Sequence, residues 1–124
     1  MKCEALSGVR ILDIATVIAA PWGAGLLADF GAEVIKVEMP GRGDSFRAMG
    51  PLKDGVSIRW PSMGRNKKSI TLDFHYEQGK ELFLKLVAKS DVIFENFRLE
   101  SHAVSEQLFL QLIWQLLWDL LFEE

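Results

Sequence analysis

The chain has 124 residues, enough for one domain and too few for two of ordinary size, and its 49% apolar content can build a single compact core. Seventeen acidic residues against fourteen basic ones make the net charge −3, which excludes the strong long-range attraction that would make nucleic acid a default partner. The only cysteine, Cys3, excludes an intrachain disulfide scaffold, and residues 1–7 lack the basic and apolar regions of a leader, so the expectation is a cytoplasmic protein.

Val9-Arg10-Ile11-Leu12-Asp13-Ile14, bounded by Gly8, is short and β-branched and predicts a strand buried on both faces. Pro21 suits a first helical turn, the small and apolar residues from Trp22 to Phe30 allow close packing, and Gly31 supplies the stop. A second strand follows over residues 33–38. Residues 39–68 carry Gly41, Gly43, Gly50, Gly55 and Gly64 with Pro40, Pro51 and Pro61, which breaks any periodicity and predicts a long functional excursion. Residues 69–73 predict a third strand, and Gly79, Leu82, Phe83, Leu86 and Val87 recur at helical spacing. A fourth strand over residues 91–95 ends at Asn96 and Phe97. The resulting order predicts an α/β fold with an open, mostly parallel, doubly wound, Rossmann-like sheet. Residues 104–122 differ in kind: thirteen are apolar, and Gln107, Gln111, Gln115 and Asp119 recur every four, predicting an apolar helix too regularly polar to span a bilayer.

In an open parallel sheet, ligands bind beyond the carboxyl ends of the strands, which here singles out residues 15–22, 38–47, 73–76 and 95–98. The first of these lacks the G-x-G-x-x-G spacing of a nicotinamide-binding turn, which disfavours a dinucleotide dehydrogenase. Glu38 could hold a ribose at the end of the second strand, or simply be solvated. Arg65, Lys67 and Lys68 could neutralise phosphates at the mouth of the third strand, or form a solvated basic turn. Arg42-Gly43-Asp44 spells an adhesion tripeptide in a chain with no secretory feature. His75 and His102 stand apart with no zinc-ligand spacing, so no metal is expected. Asp13 and Asp29 are expected as a strand-end cap and a helix-surface charge, and no nucleophilic elbow or carboxylate dyad stands out.

Blocks in the order of a known family run from Leu6 to Phe97: residues 6–13, Ala20-Pro21, residues 27–38, Pro40-Gly41, Gly43-Asp44 with Arg47, residues 66–70, Leu72-Asp73, Gly79, Asp91-Val92 and Glu95-Asn96-Phe97. With these the chain resembles the amino-terminal portion of class III CoA transferases of the CaiB/BaiF type, which include formyl-CoA and carnitine-CoA transferases. The resemblance implies a CoA-binding portion over residues 1–98 and a non-family tail over residues 99–124. It places Val17 and Ala19 beside the thioester arm of CoA or acyl-CoA, and Leu72, Asn96 and Phe97 around its adenosine. Met39 and His75 depart from relatives that carry basic residues there, which puts phosphate binding on Lys67, Lys68 and Arg47. In such relatives an aspartate in a downstream Gly-rich segment attacks the donor thioester, and CoA passes to a carboxylic acid. No residue of this chain matches that setting, so none is assigned as catalytic and the chain reads as a truncated form. The alternative is a non-enzymatic module that self-associates or attaches to a surface through residues 104–122.

Overall fold

The computed structural model describes residues 4–97; the helix expected over residues 104–122 and the self-association assigned to it lie outside the described residues. Strand β1 (Arg10–Asp13) leads into helix α1 (Ala19–Asp29), and β2 (Glu33–Glu38) returns beside it. The excursion that follows holds a single 3-10 turn (Ser45–Ala48), a small antiparallel hairpin of β3 (Leu52–Lys53) and β4 (Val56–Ser57), and a short helix α2 (Trp60–Gly64). Strand β5 (Lys67–Thr71), helix α3 (Glu77–Val87) and strand β6 (Val92–Phe94) complete the described part. No helix among the described residues is long and apolar enough to cross a membrane.

The four main strands form one parallel sheet in the order β5-β2-β1-β6, with Asp13 in register with Lys36 and with Phe94, and Lys36 with Ser69. Alternation of side chains sorts this sheet into two faces. On one, Ile11 and Val34 pack against Ala24 and Ala28, whose small size lets α1 lie close to the strands, and against Ala32 beyond the helix. On the other, Leu12, Ile14 and Val37 pack against Phe83 and Val87 of α3, and Phe83 meets Phe74 edge-on with ring centres 4.8 Å apart. Each helix thus covers its own face, as the doubly wound reading requires.

Element boundaries depart modestly from expectation. Helix α1 begins at Ala19, two residues before Pro21, after Ile18, which contributes no side-chain cap. Gly31 follows the helix at φ +97°, a conformation that costs glycine nothing. Strand β5 starts at Lys67 and stops at Thr71, two residues earlier at both ends than periodicity indicates. That shift matters for the basic residues discussed below.

The strand order also locates the switch point of the sheet. From β1 the chain moves outward through β2 to β5, then returns to place β6 on the opposite side of β1. The direction of winding reverses between β1 and β6, so the crevice of this sheet opens between the loops that leave those two strands.

Candidate functional site

The loop after β1 runs through Thr16 and Val17 into α1, and Val17 has φ +68°. That region is a true outlier for a β-branched residue. Two distant side chains hold it there. Asn96, leaving β6, accepts from the Thr16 N–H at 2.9 Å and donates to the Thr16 carbonyl at 2.8 Å, an amide clamp across the crevice. Asp44, from the excursion, accepts from the Val17 N–H at 3.2 Å and from the Phe46 N–H at 2.8 Å. Ala19 opens α1 immediately after, on an exposed rim, and Phe97 lies beside Asn96 with 41% of its surface exposed.

Beneath this turn lies a buried charge cluster. Asp13 ends β1, and the Lys67 ammonium lies 2.8 Å from its carboxylate and donates to the Pro21 carbonyl at 2.6 Å. The Lys36 ammonium is 3.0 Å from Asp44 and 3.6 Å from Asp13, and also donates to the Ala15 carbonyl. All four side chains are at most 3% exposed. Two cations and two carboxylates balance, which is the condition for ionised groups to remain in a low-dielectric interior. Burial pushes the Lys67 ammonium below its usual range, while the hydrogen bond and charge of Asp13 oppose that shift.

A second polar knot stands at the end of β2. Glu38 receives two bonds of 2.7 Å from Arg47, one of 2.8 Å from the Ser69 hydroxyl and one of 2.8 Å from the Asp44 N–H. Burial alone would raise its pKa, but the guanidinium and the other two donors outweigh it and the value falls to about 2. Arg47 is held in turn by Trp60 of α2, 3.8 Å from its guanidinium. Gly43 permits this packing: a Cβ there would lie 2.9 Å from both Arg47 and Glu38, and its φ is +63°.

Several sequence readings change on this geometry. Lys67 and Lys68 do not stand at the strand mouth, because β5 begins rather than ends with them. Lys67 is consumed by Asp13, and Lys68 pairs with Glu33 at the opposite end of the sheet. Arg65 bonds Asp29 at 2.6 Å and overlies Trp22. Glu38 is sealed by its donors and cannot reach a ribose. Asp44 of the Arg-Gly-Asp triplet is buried and cannot meet a receptor. Asp13 is not a mere cap but the centre of the ion cluster. Asp29 is a surface charge as expected, lowered in pKa chiefly by its bond to Arg65.

The remaining expected contacts fall into two groups. Val17, Ala19, Asn96 and Phe97 gather over β1 and β6. Leu72 continues β5 by donating its N–H to the Glu38 carbonyl, and His75 follows it, bonded through Nδ1 to Asp73 at 2.7 Å. Three strand steps, roughly 14 Å, separate the backbones of β5 and β6. A ligand touching both must extend across the sheet mouth. Arg47, half-exposed in the 3-10 turn, pairs with Glu38 at the end of β2. The Asn96 clamp, the left-handed Val17 and the ion cluster were not legible from spacing, since their contacts join separate elements from 8 to 80 positions apart.

Known proteins share this fold and much of this sequence. The chain matches the model of CoA-transferase family III over residues 6–106, slightly beyond the Asn96-Phe97 block. It is 46% identical over 95 residues to the alpha subunit of succinyl-CoA–L-malate CoA-transferase of Chloroflexus aurantiacus, covering 75% of this chain and 22% of that protein. It is 48% identical over 97 residues to formyl-CoA:oxalate CoA-transferase of Bradyrhizobium diazoefficiens, covering 76% of this chain and 22% of the relative. A crystal structure of a CaiB/BaiF family protein from Brucella suis superimposes with a TM-score of 0.70 at 36% identity, over 84% of this chain and 30% of that one. The chain thus spans about a fifth of the length of the curated relatives it matches. With the model matched over most of its residues and an identity near one half to full-length relatives, the chain belongs to CoA-transferase family III.

Proposed function

We propose that this chain binds CoA or an acyl-CoA across the mouth of its parallel sheet, as the CoA-binding portion of a cytoplasmic system that moves CoA between carboxylic acids. The observation that carries the reading is the Asn96 clamp on Thr16, which builds a rigid turn at the point where the winding reverses. No side chain caps the start of α1, so its first N–H groups face that crevice and suit the carbonyls of a pantetheine arm. Phe97 offers an aromatic face to a base, and Leu72 and His75 lie far enough along the mouth to contact an extended ligand. With Lys67 and Lys68 directed elsewhere, Arg47 is the cation best placed for a phosphate.

Binding and chemistry separate in this reading. An attacking carboxylate needs an oxygen pointed at the thioester carbonyl. Around the mouth, Asp13 and Asp44 lie in the ion cluster, Glu38 is saturated with donors, Asp73 is bonded by the backbone and ring of His75, and Glu95 accepts from the Phe97 N–H. These carboxylates hold the site together, and the nucleophile comes from family sequence other than residues 4–97.

Isothermal titration of the purified chain with CoA, competed by adenosine 3′,5′-bisphosphate, tests the proposal. Saturable heat that the nucleotide suppresses supports it. Absence of heat up to millimolar CoA overturns it.

A further inference from the structure

We infer that Asp44 is a positioning residue for the CoA site: from the long excursion it reaches under the β1–α1 loop and holds Val17 in the left-handed conformation that shapes the crevice. The inference rests on the proposed CoA site and adds a device within it. Asp44 touches no part of the crevice that a ligand could reach, being 3% exposed, so its effect passes entirely through the Val17 N–H.

Three features give Asp44 this task. Its Oδ1 accepts from both Val17 and Phe46, so the loop after β1 and the 3-10 turn after β2 share one acceptor atom. Its Oδ2 faces the Lys36 ammonium at 3.0 Å, an ion pair that anchors the carboxylate to the central strand β2. Its own N–H donates to Glu38 at 2.8 Å, so the backbone of Asp44 is fixed as well as its side chain. A valine at φ +68° reverts to an extended or helical conformation unless something opposes it, and an anchored carboxylate opposing it costs no rearrangement when ligand arrives. The 3-10 turn, with Phe46 buried behind it, therefore serves the crevice through the acceptor at its N-terminus as well as through Arg47.

Removing Asp44 alone would leave Lys36 and Lys67 against Asp13, an unbalanced buried charge that could unfold the chain for reasons unrelated to the turn. The test therefore removes the pair together and varies only the acceptor. Lys36→Met/Asp44→Asn keeps an oxygen for the Val17 N–H; Lys36→Met/Asp44→Ala does not. Both discard the same ion pair, so a difference between them reports on the acceptor that Val17 and Phe46 share, and exchange at the two amides tells which contact carries it. The expected result is CoA affinity within about threefold of the parent for the Asn variant and a loss of about tenfold or more for the Ala variant, one hydrogen bond's worth of discrimination. Amide hydrogen exchange at Val17 should quicken by a similar factor in the Ala variant only. Adding Val17→Gly to the Ala variant should recover part of the affinity, because glycine takes positive φ without strain.

Equal affinity and equal Val17 exchange in the two double variants would overturn the inference. Should neither double variant fold, Val17→Gly in the otherwise unchanged chain decides: release of a held strain raises the melting temperature by a few degrees, and a fall of that size overturns the inference. If the parent chain binds no CoA, the proposed function fails, while Val17 exchange still reports whether Asp44 holds the turn.

Discussion

Glu38 shows what an acidic side chain at a strand end becomes when the loop beyond it folds back. In sequence it is a plausible solvated acid; in the fold, Arg47, Ser69 and the Asp44 N–H occupy it and its pKa falls from 4.5 to about 2. A carboxylate depressed on folding adds stability that is present above pH 4.5 and drains away as pH falls from there toward 2. The contribution is at most about 3 kcal/mol at neutral pH, by the usual conversion of a pKa shift. Glu38→Gln should lose most of it at pH 7 and flatten the acid limb between pH 4.5 and 2, as read by denaturant unfolding across pH. The lysines make a complementary pair. Lys67→Met strands Asp13 with only the distant half of Lys36 and should cost about 3–5 kcal/mol. Lys68→Ala removes an exposed ion pair with Glu33 and should cost less than about 1 kcal/mol. Urea titration of the two variants separates them, and equal costs would refute the assignment of Lys67 to the interior.

At the scale of elements, the turn from β5 into α3 is set by one contact. A Cβ on Gly79 would overlap the Asp73 carbonyl, which is backbone and cannot swing aside. Gly79→Ala should therefore displace the start of α3 and destabilise by about 1–3 kcal/mol, although alanine is the better helix former. Phe83→Ala empties the centre of the same face, where the ring is fully buried against Phe74, and should cost about 3–5 kcal/mol in thermal unfolding. Both residues lie in a helix whose period was plain in the sequence, as were β1 and β2, because those elements bury a stripe or a near-continuous apolar run; β6 was legible from its short apolar run alone. The excursion over residues 39–66 was legible only as irregular. Its 3-10 turn, hairpin and α2 are stabilised by contacts distant in sequence, Arg47 on Trp60 and Glu38 among them, which leave no local period to read. The same lack of a local signal placed the start of β5 two residues late, and that displacement turned a buried lysine into an expected phosphate ligand.

For the molecule as a whole, the parallel sheet, its switch point and the family were legible because they follow from element order and ordered motif blocks. The interior of the site was not, because Asp13, Lys36, Asp44 and Lys67 come from four separate stretches and only meet in the fold. That cluster explains how a chain covering about a fifth of its relatives can keep a shaped crevice. The ion pairs and the Asn96 clamp close within residues 13–96, so the described residues hold the loop after β1 by their own contacts. Ligand linkage then makes a joint prediction about stability and turnover. CoA at tenfold its dissociation constant should add about 1.4 kcal/mol, a rise in melting temperature on the order of 5 °C for a domain of this size. The same chain mixed with succinyl-CoA and a second carboxylic acid should leave the thioester unexchanged, since the carboxylates at the mouth are bonded into the structure. Chromatographic detection of a new acyl-CoA, formed by the purified chain alone, would mean that one of these carboxylates leaves its partners to attack, and would overturn the separation of binding from chemistry.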